Sequence, residues 1–161
     1  MSIVIRTDDV SAPDRLDFVR ELTAATWVPM ECRTDFGMAD YRAEFRPTGL
    51  GAMQVVVMDI MPITVRRTPK LISQADPDLL KVLLVCDGSS SVVAQGGQQA
   101  RLSPAEFAIY DTRRPYEVAC GIGQDRPVRL LTFMFSPSLL PLSPSRLRQL
   151  AALGGFVIFL A

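Results

Sequence analysis

The sequence contains no histidine and no asparagine. Without histidine the chain cannot build a Ser-His-Asp triad, a Cys-His dyad or a metal centre with imidazole ligands. Carboxylates and thiolates remain as metal ligands, but no spacing among them suggests a site. Neither a metal nor another cofactor is therefore expected. Without asparagine there is no acceptor for N-glycosylation. Lysine is nearly missing too, with two residues against fifteen arginines. Long apolar runs are also lacking. The run near the C-terminus, Phe156 to Ala161, is far below the roughly 20 residues needed to span a bilayer. The opening Met-Ser-Ile-Val-Ile-Arg lacks the charged start and apolar stretch of a signal peptide. A cytoplasmic location without a membrane partner is the expectation. Excess charge is missing as well, since 17 basic residues balance 17 acidic ones. Nucleic-acid-binding domains carry a clustered basic surplus, so no direct nucleic-acid binding is expected of this chain. The cysteines, Cys32, Cys86 and Cys120, are odd in number, far apart and in no C-x-x-C pair. They read as buried, reduced thiols.

What is present fits one domain of ordinary size, 161 residues with 48% apolar side chains. Residues 11–26 read as a helix, with Ser11 as cap, Pro13 and Asp14 in the first turn, and Leu16, Val19 and Leu22 on one face. Thereafter the pattern is that of strands. Tyr41 to Arg46 alternates, Met53 to Ile60 is nearly continuously apolar, and Ile63 to Arg67 alternates again. Further strands are expected at Leu79–Cys86, Ser91–Gln95, Gln98–Leu102, Phe107–Asp111, Tyr116–Cys120 and Val128–Phe135. Gly96-Gly97 marks a tight hairpin. The last strand is apolar on both faces and should be central. Roughly eight or nine short strands without intervening long helices favour an antiparallel barrel or sandwich. Residues 143–153 return to helix, with Ser143 as cap and Pro144 at the first helical position. Residues 1–142 thus read as the main domain and 143–161 as a C-terminal helical segment, a dimerisation element or truncated linker.

Three stretches resemble the N-terminal, cupin-like effector-binding domain of AraC-type transcriptional regulators, especially the branch common in actinobacteria. One runs from Phe45-Arg46 through Val65-Arg66-Arg67-Thr68-Pro69. The second is the hairpin from Gly96 to Leu102. The most specific is Leu102 to Tyr116, which is similar to the family's L-x-P-G-D-F-x-x-Y-D-x-x-R-P-Y stretch. Ala105 and Glu106 stand here where Gly and Asp are usual. The resemblance implies a mainly β fold, a cupin-like antiparallel barrel or sandwich that binds a small effector. It also implies, in full-length members, a helix-turn-helix domain that these 161 residues do not contain.

An effector site should be mostly apolar with a few polar anchors. Inward-facing aromatics and methionines are therefore sought, and the candidates are Trp27, Tyr41, Phe45, Met53, Val55, Tyr110 and Met134. Arg33 and Arg42 are candidate anchors, because a guanidinium can hold a carboxylate in a bidentate pair. The stretch Tyr110 to Tyr116 reads either as a ligand-contacting mouth or as a turn held by an Asp111–arginine pair and fixed by Pro115. Arg66-Arg67 and Arg113-Arg114 read as solvated strand edges. Asp8-Asp9 and the Asp76/Asp78 pair read as turn and cap chemistry. Leu147, Leu150 and Ala151 would share a dimerising helical face. The leading reading is an effector-sensing module whose partners are a small molecule of unknown identity and a second copy of the chain, and not an enzyme. The alternatives are a metal-free isomerase or lyase on the same barrel, and an interaction protein that blocks a full-length regulator.

Overall fold

The computed structural model describes residues 3–37, 39–123, 125–143, 145–146 and 149 in full, and 156–159 as backbone. The elements are β1 (Ile5–Arg6), α1 (Arg15–Thr26), β2 (Glu31–Arg33), β3 (Ala43–Leu50), β4 (Met53–Ile60), β5 (Ile63–Arg67), α2 (Pro69–Gln74), β6 (Leu80–Asp87), β7 (Ser91–Gln95), β8 (Gln98–Leu102), β9 (Phe107–Asp111), β10 (Tyr116–Cys120), β11 (Val128–Phe135) and β12 (Phe156–Phe159). The strands form two sheets, a larger one in the order β1-β3-β4-β11-β6-β9-β12 and a smaller one in the order β2-β5-β10-β7-β8. Every pairing is antiparallel except β12 on β9. The architecture is a mainly β, largely antiparallel two-sheet sandwich rather than a closed barrel.

Alternation assigns the faces. Val56, Met58 and Ile60 of β4, Leu83 and Val85 of β6, and Val128, Leu130 and Met134 of β11 point between the sheets. From the smaller sheet Cys32, Ile63, Val93, Val118 and Cys120 meet them in one core. β11 lies between β4 and β6, the central position its two-sided apolarity predicts. The outer face of the larger sheet divides in two. Toward β3 it carries Glu44, Arg46, Asp59 and Arg129, linked by ion pairs. Toward β9 it carries a second apolar cluster of Leu80, Val82 and Phe135, joined by Met53, Phe107, Ile109, Phe133 and Leu140.

Several expectations are corrected. The N-terminal helix starts at Arg15, because Ala12–Asp14 forms a separate 3-10 turn. Ser11 Oγ bonds the Asp14 carboxylate and caps no helix. Thr68 and Pro69 open an unexpected short helix, α2, where Thr68 Oγ1 accepts from Leu71 N. Phe156–Phe159 is a strand rather than part of a helical tail. Cys86 is exposed, while Cys32 and Cys120 are buried and all three are free thiols. Ser143 accepts from the backbone N–H of Arg146, as a capping residue does. The expected dimerising residues Leu147, Leu150 and Ala151 lie outside the described residues. No described helix is long and apolar enough to cross a membrane.

Candidate functional site

Two concave regions flank the smaller sheet. Its outer face forms an open groove of about 670 Å³ lined by Glu31, Arg33, Thr64, Arg66, Glu117 and Asp125 among others. The chemistry there is ordinary surface chemistry. Arg66 binds the Glu117 carboxylate at 2.6 Å with both side chains over 40% exposed, and such pairs contribute little.

The inner region lies between the sheets and is different. α1 supplies Val19 and Thr23, and the segment after it supplies Trp27 and Met30. Tyr41, Phe45, Met58, Ile60, Lys81, Leu83, Tyr110 and Thr132 come from the larger sheet and its approach, and Ile63, Val65, Val118 and Cys120 from the smaller. Together they leave a cavity of about 40 Å³. That is room for water-sized molecules only. The wall is apolar with few polar atoms, and some of those have no protein partner. Trp27 Nε1 and Thr132 Oγ1 are fully buried and have no hydrogen-bond partner among the described residues. Tyr41 is satisfied by donating to the Met61 carbonyl at 3.1 Å, and the Tyr116 hydroxyl bonds Met30 Sδ at 3.2 Å.

The most unusual wall residue is Lys81. β6 points it inward beside Leu83 and Val85, and it is 4% exposed. Its Nζ lies 4.2 Å from the Trp27 ring centroid, a cation–π distance. Burial lowers its pKa to about 8, against a weaker upward pull from Cys120 and Cys32. Burial in turn pushes the Cys120 thiol up to about 12 and holds the Tyr41 and Tyr110 phenols well above their ordinary value. These neighbours are therefore neutral at physiological pH.

One end of the sandwich is closed by polar clamps. Arg67, expected at a solvated edge, is wholly buried. It donates to the carbonyls of Thr112 at 3.2 Å and Pro29 at 3.0 Å, and also to that of Ala75. It thereby ties the segment after α1 and the end of α2 to the β9–β10 turn. That turn carries the Asp111–arginine pair expected from sequence. Asp111 takes Arg113 in a two-pronged pair at 2.8 and 2.9 Å. Gln95 accepts from Asp111 N and donates to Asp111 O. Burial raises the Asp111 pKa, but the Arg113 contacts outweigh it and hold the carboxyl below its ordinary value. Asp78 N donates to Asp76 Oδ1, and Arg6 N donates to Asp9 Oδ2, as turn and cap chemistry requires.

Of the residues singled out from sequence, the structure brings Trp27, Tyr41, Phe45 and Tyr110 together on the cavity wall. Met134 joins the same core without lining the cavity. Met53 belongs to the outer apolar cluster, and Val55 lies on that outward face of β4, since Val56 and Met58 point in. Arg33 lines the outer groove. Arg42 is an exposed partner of Asp8 at 3.2 Å. The proposed arginine anchors thus lie outside the cavity, and the cation on its wall is Lys81. Its only sequence signal is a lone charge inside the apolar run Leu79–Cys86.

Comparison with known proteins places the chain. A family described as the AraC-binding-like domain matches residues 19–153. An uncharacterized protein in the nit 5′ region of Bacillus sp. (strain OxB-1) is 23% identical over 153 residues, covering 95% of this chain and 57% of that protein. The crystal structure of the AraC-like transcriptional activator CuxR superposes over 97% of this chain and 54% of that one, with a TM-score of 0.71 and 15% identity. A cupin domain of an XRE-family transcriptional regulator from Enterobacter cloacae aligns with 67% of the chain at a TM-score of 0.44 and 12% identity. The chain spans little more than half the length of both the Bacillus protein and CuxR. By the match over residues 19–153, it belongs to the AraC-binding-like domain family.

Proposed function

We propose that this chain is the effector-sensing part of an AraC-type transcriptional regulator, with the small molecule held between the sheets. The observation that carries the reading is the interior wall. Apolar side chains surround Lys81 Nζ, Trp27 Nε1 and Thr132 Oγ1, and neither of the last two has a partner among the described residues. Buried polar groups are normally bonded, and a ligand is one way to bond them. The family membership supports the same reading.

The cavity is far smaller than the 300–1,000 Å³ typical of small-molecule sites. An effector must therefore displace part of the wall. The part attached by the least sheet hydrogen bonding is α1 with the segment through Met30, which contributes Val19, Thr23, Trp27 and Met30. Movement of this cover gives the filled and empty states different surfaces. That difference is what a sensor needs in order to alter dimerisation or the contacts made by a DNA-binding domain.

The test is a thermal-shift screen over small acids, amines, sugars and lipids, read beside the fluorescence of Trp27, the only tryptophan. A ligand at 100 times its Kd adds about 2.7 kcal/mol, so a hit raises Tm by several degrees and changes Trp27 emission. A hit that stabilises the protein with Trp27 silent would place the site elsewhere.

A further inference from the structure

Two cations are buried in this protein, and the fold treats them differently. Arg67 donates to three backbone carbonyls. Lys81 has neither a hydrogen bond nor an ion pair from its Nζ among the described residues, and that Nζ lies 4.2 Å from the centroid of the Trp27 ring. Asp111, the one acidic side chain buried among the described residues, is held by Arg113. The titratable groups that share the interior with Lys81 are Cys32, Cys120, Tyr41, Tyr110 and Tyr116, and none is a carboxylate. A buried ammonium without a counter-charge is costly. Met or Leu would fill the same volume without that cost.

The two unbonded groups beside it define what is missing. Trp27 Nε1 is a donor only, and a threonine hydroxyl can donate. A cation and two donors call for an acceptor carrying negative charge. A single ammonium matches one negative charge rather than two. The remaining wall, including Val19, Phe45, Met58, Ile60 and Leu83, is apolar and suits a hydrocarbon or aromatic body.

Resting on the reading of the interior as the effector site, we propose that the effector is a monocarboxylate with an apolar body, its carboxylate seated on Lys81 and hydrogen-bonded by Thr132 Oγ1 and Trp27 Nε1. A carboxylate brought to Lys81 replaces the water the ammonium lost and offers acceptors to both donors. Bound ligand therefore holds Lys81 in its charged form and raises its pKa.

The chain's lysine content makes the experiment direct. With Lys70 and Lys81 as the only lysines, protein labelled with 13C at lysine Cε gives two signals, and exposed Lys70 serves as the internal reference. The probes are straight-chain monocarboxylates of four to twelve carbons, benzoate and phenylacetate, each paired with its primary amide. Expected is a carboxylate that changes Trp27 emission saturably, binds at least tenfold more tightly than its amide, and raises the Lys81 pKa while leaving Lys70 unmoved. In Lys81→Met the tenfold preference disappears. Amides that match their carboxylates in affinity, with Lys81 unmoved, would overturn the carboxylate and leave the cavity reading standing. A panel in which neither Trp27 nor Lys81 responds to any acid or amide would overturn both.

Discussion

Ala105 has a φ of +71°, a left-handed conformation that costs a residue with a Cβ about 1–2 kcal/mol. It sits in the turn before β9, where Ala105 N donates to Val85 O and Glu106 N to Ser103 O. The family resemblance has glycine at this position, and the backbone angle explains why. Ala105→Gly should raise stability by about 0.5–1 kcal/mol after glycine's own entropic cost. Urea denaturation checks it through a higher midpoint at unchanged m.

Lys81 carries a pH-dependent prediction of its own. Its folded pKa of about 8 lies below the ordinary lysine value of 10.5. Below pH 8 both folded and unfolded forms are charged, and the burial penalty is fully present. As pH rises from 8 toward 10.5 the folded form loses its proton first, so stability rises relative to a variant without the amine. Lys81→Met should therefore be the more stable protein at about pH 7, and its advantage should shrink by about 1 kcal/mol by about pH 9. Denaturation of both proteins at the two pH values decides it, and a constant gap would contradict it.

These residues also mark what sequence could convey about the site. Phe45 and Tyr110 were legible because bulky residues on alternating strands face inward, and Trp27 and Tyr41 because large aromatic side chains next to regular elements tend to be buried. Arg33 and Arg42 misled, since charge alone does not reveal which face of the sheet a residue takes at a strand end. Lys81 was hidden by the opposite effect. Within an apolar run both faces of the strand read alike, so the side on which the one charge falls cannot be read. The unbonded state of Trp27 Nε1 and Thr132 Oγ1 has no sequence signature at all.

At the scale of elements, the long strands were legible and the short ones were not. β4, β5, β7, β8, β9, β10 and β11 carry enough residues for an alternation or a bounded apolar run, and the turn at Gly96-Gly97 has positive φ at both residues, as a two-residue hairpin requires. β1 and β2 have two and three residues, too few for any period. β12 escaped because an apolar tail is ambiguous until its pairing partner is known.

That pairing makes a test possible. β12 runs parallel to β9, from Phe156 opposite Phe107 to Phe159 opposite Tyr110, and it occupies the outer edge of the larger sheet. A chain ending at residue 154 leaves β9 as a bare edge. Hydrogen exchange should then accelerate at the β9 amides that face β12, while the β6–β11 amides stay protected.

The cover over the cavity depends on a second attachment, the contact from Arg67 to Pro29 O. Arg67→Met keeps the volume but leaves three carbonyls without their donor. The expected loss is about 3 kcal/mol, measured by urea denaturation. Exchange at residues 27–30 should rise well before exchange in the larger sheet.

At the scale of the whole molecule, the strand order governs how the chain can assemble. β11 is the central strand of the larger sheet and pairs with β4 on one side and β6 on the other. It is also the last of the long strands in the sequence. A topology dominated by such distant pairings folds slowly, in milliseconds to seconds. Stopped-flow refolding followed at Trp27 should fall in that range rather than in microseconds, because the Trp27 environment needs both sheets.

The central place of β11 has a further consequence during synthesis. Translation reaches residue 135 only after β4 and β6 have both been made. Until then β4 and β6 each face an empty lane, and the apolar side chains of both are uncovered. The nascent protein thus passes through an interval in which its most hydrophobic strands are open edges. Slower elongation lengthens that interval, whereas a chaperone that binds extended apolar segments protects it.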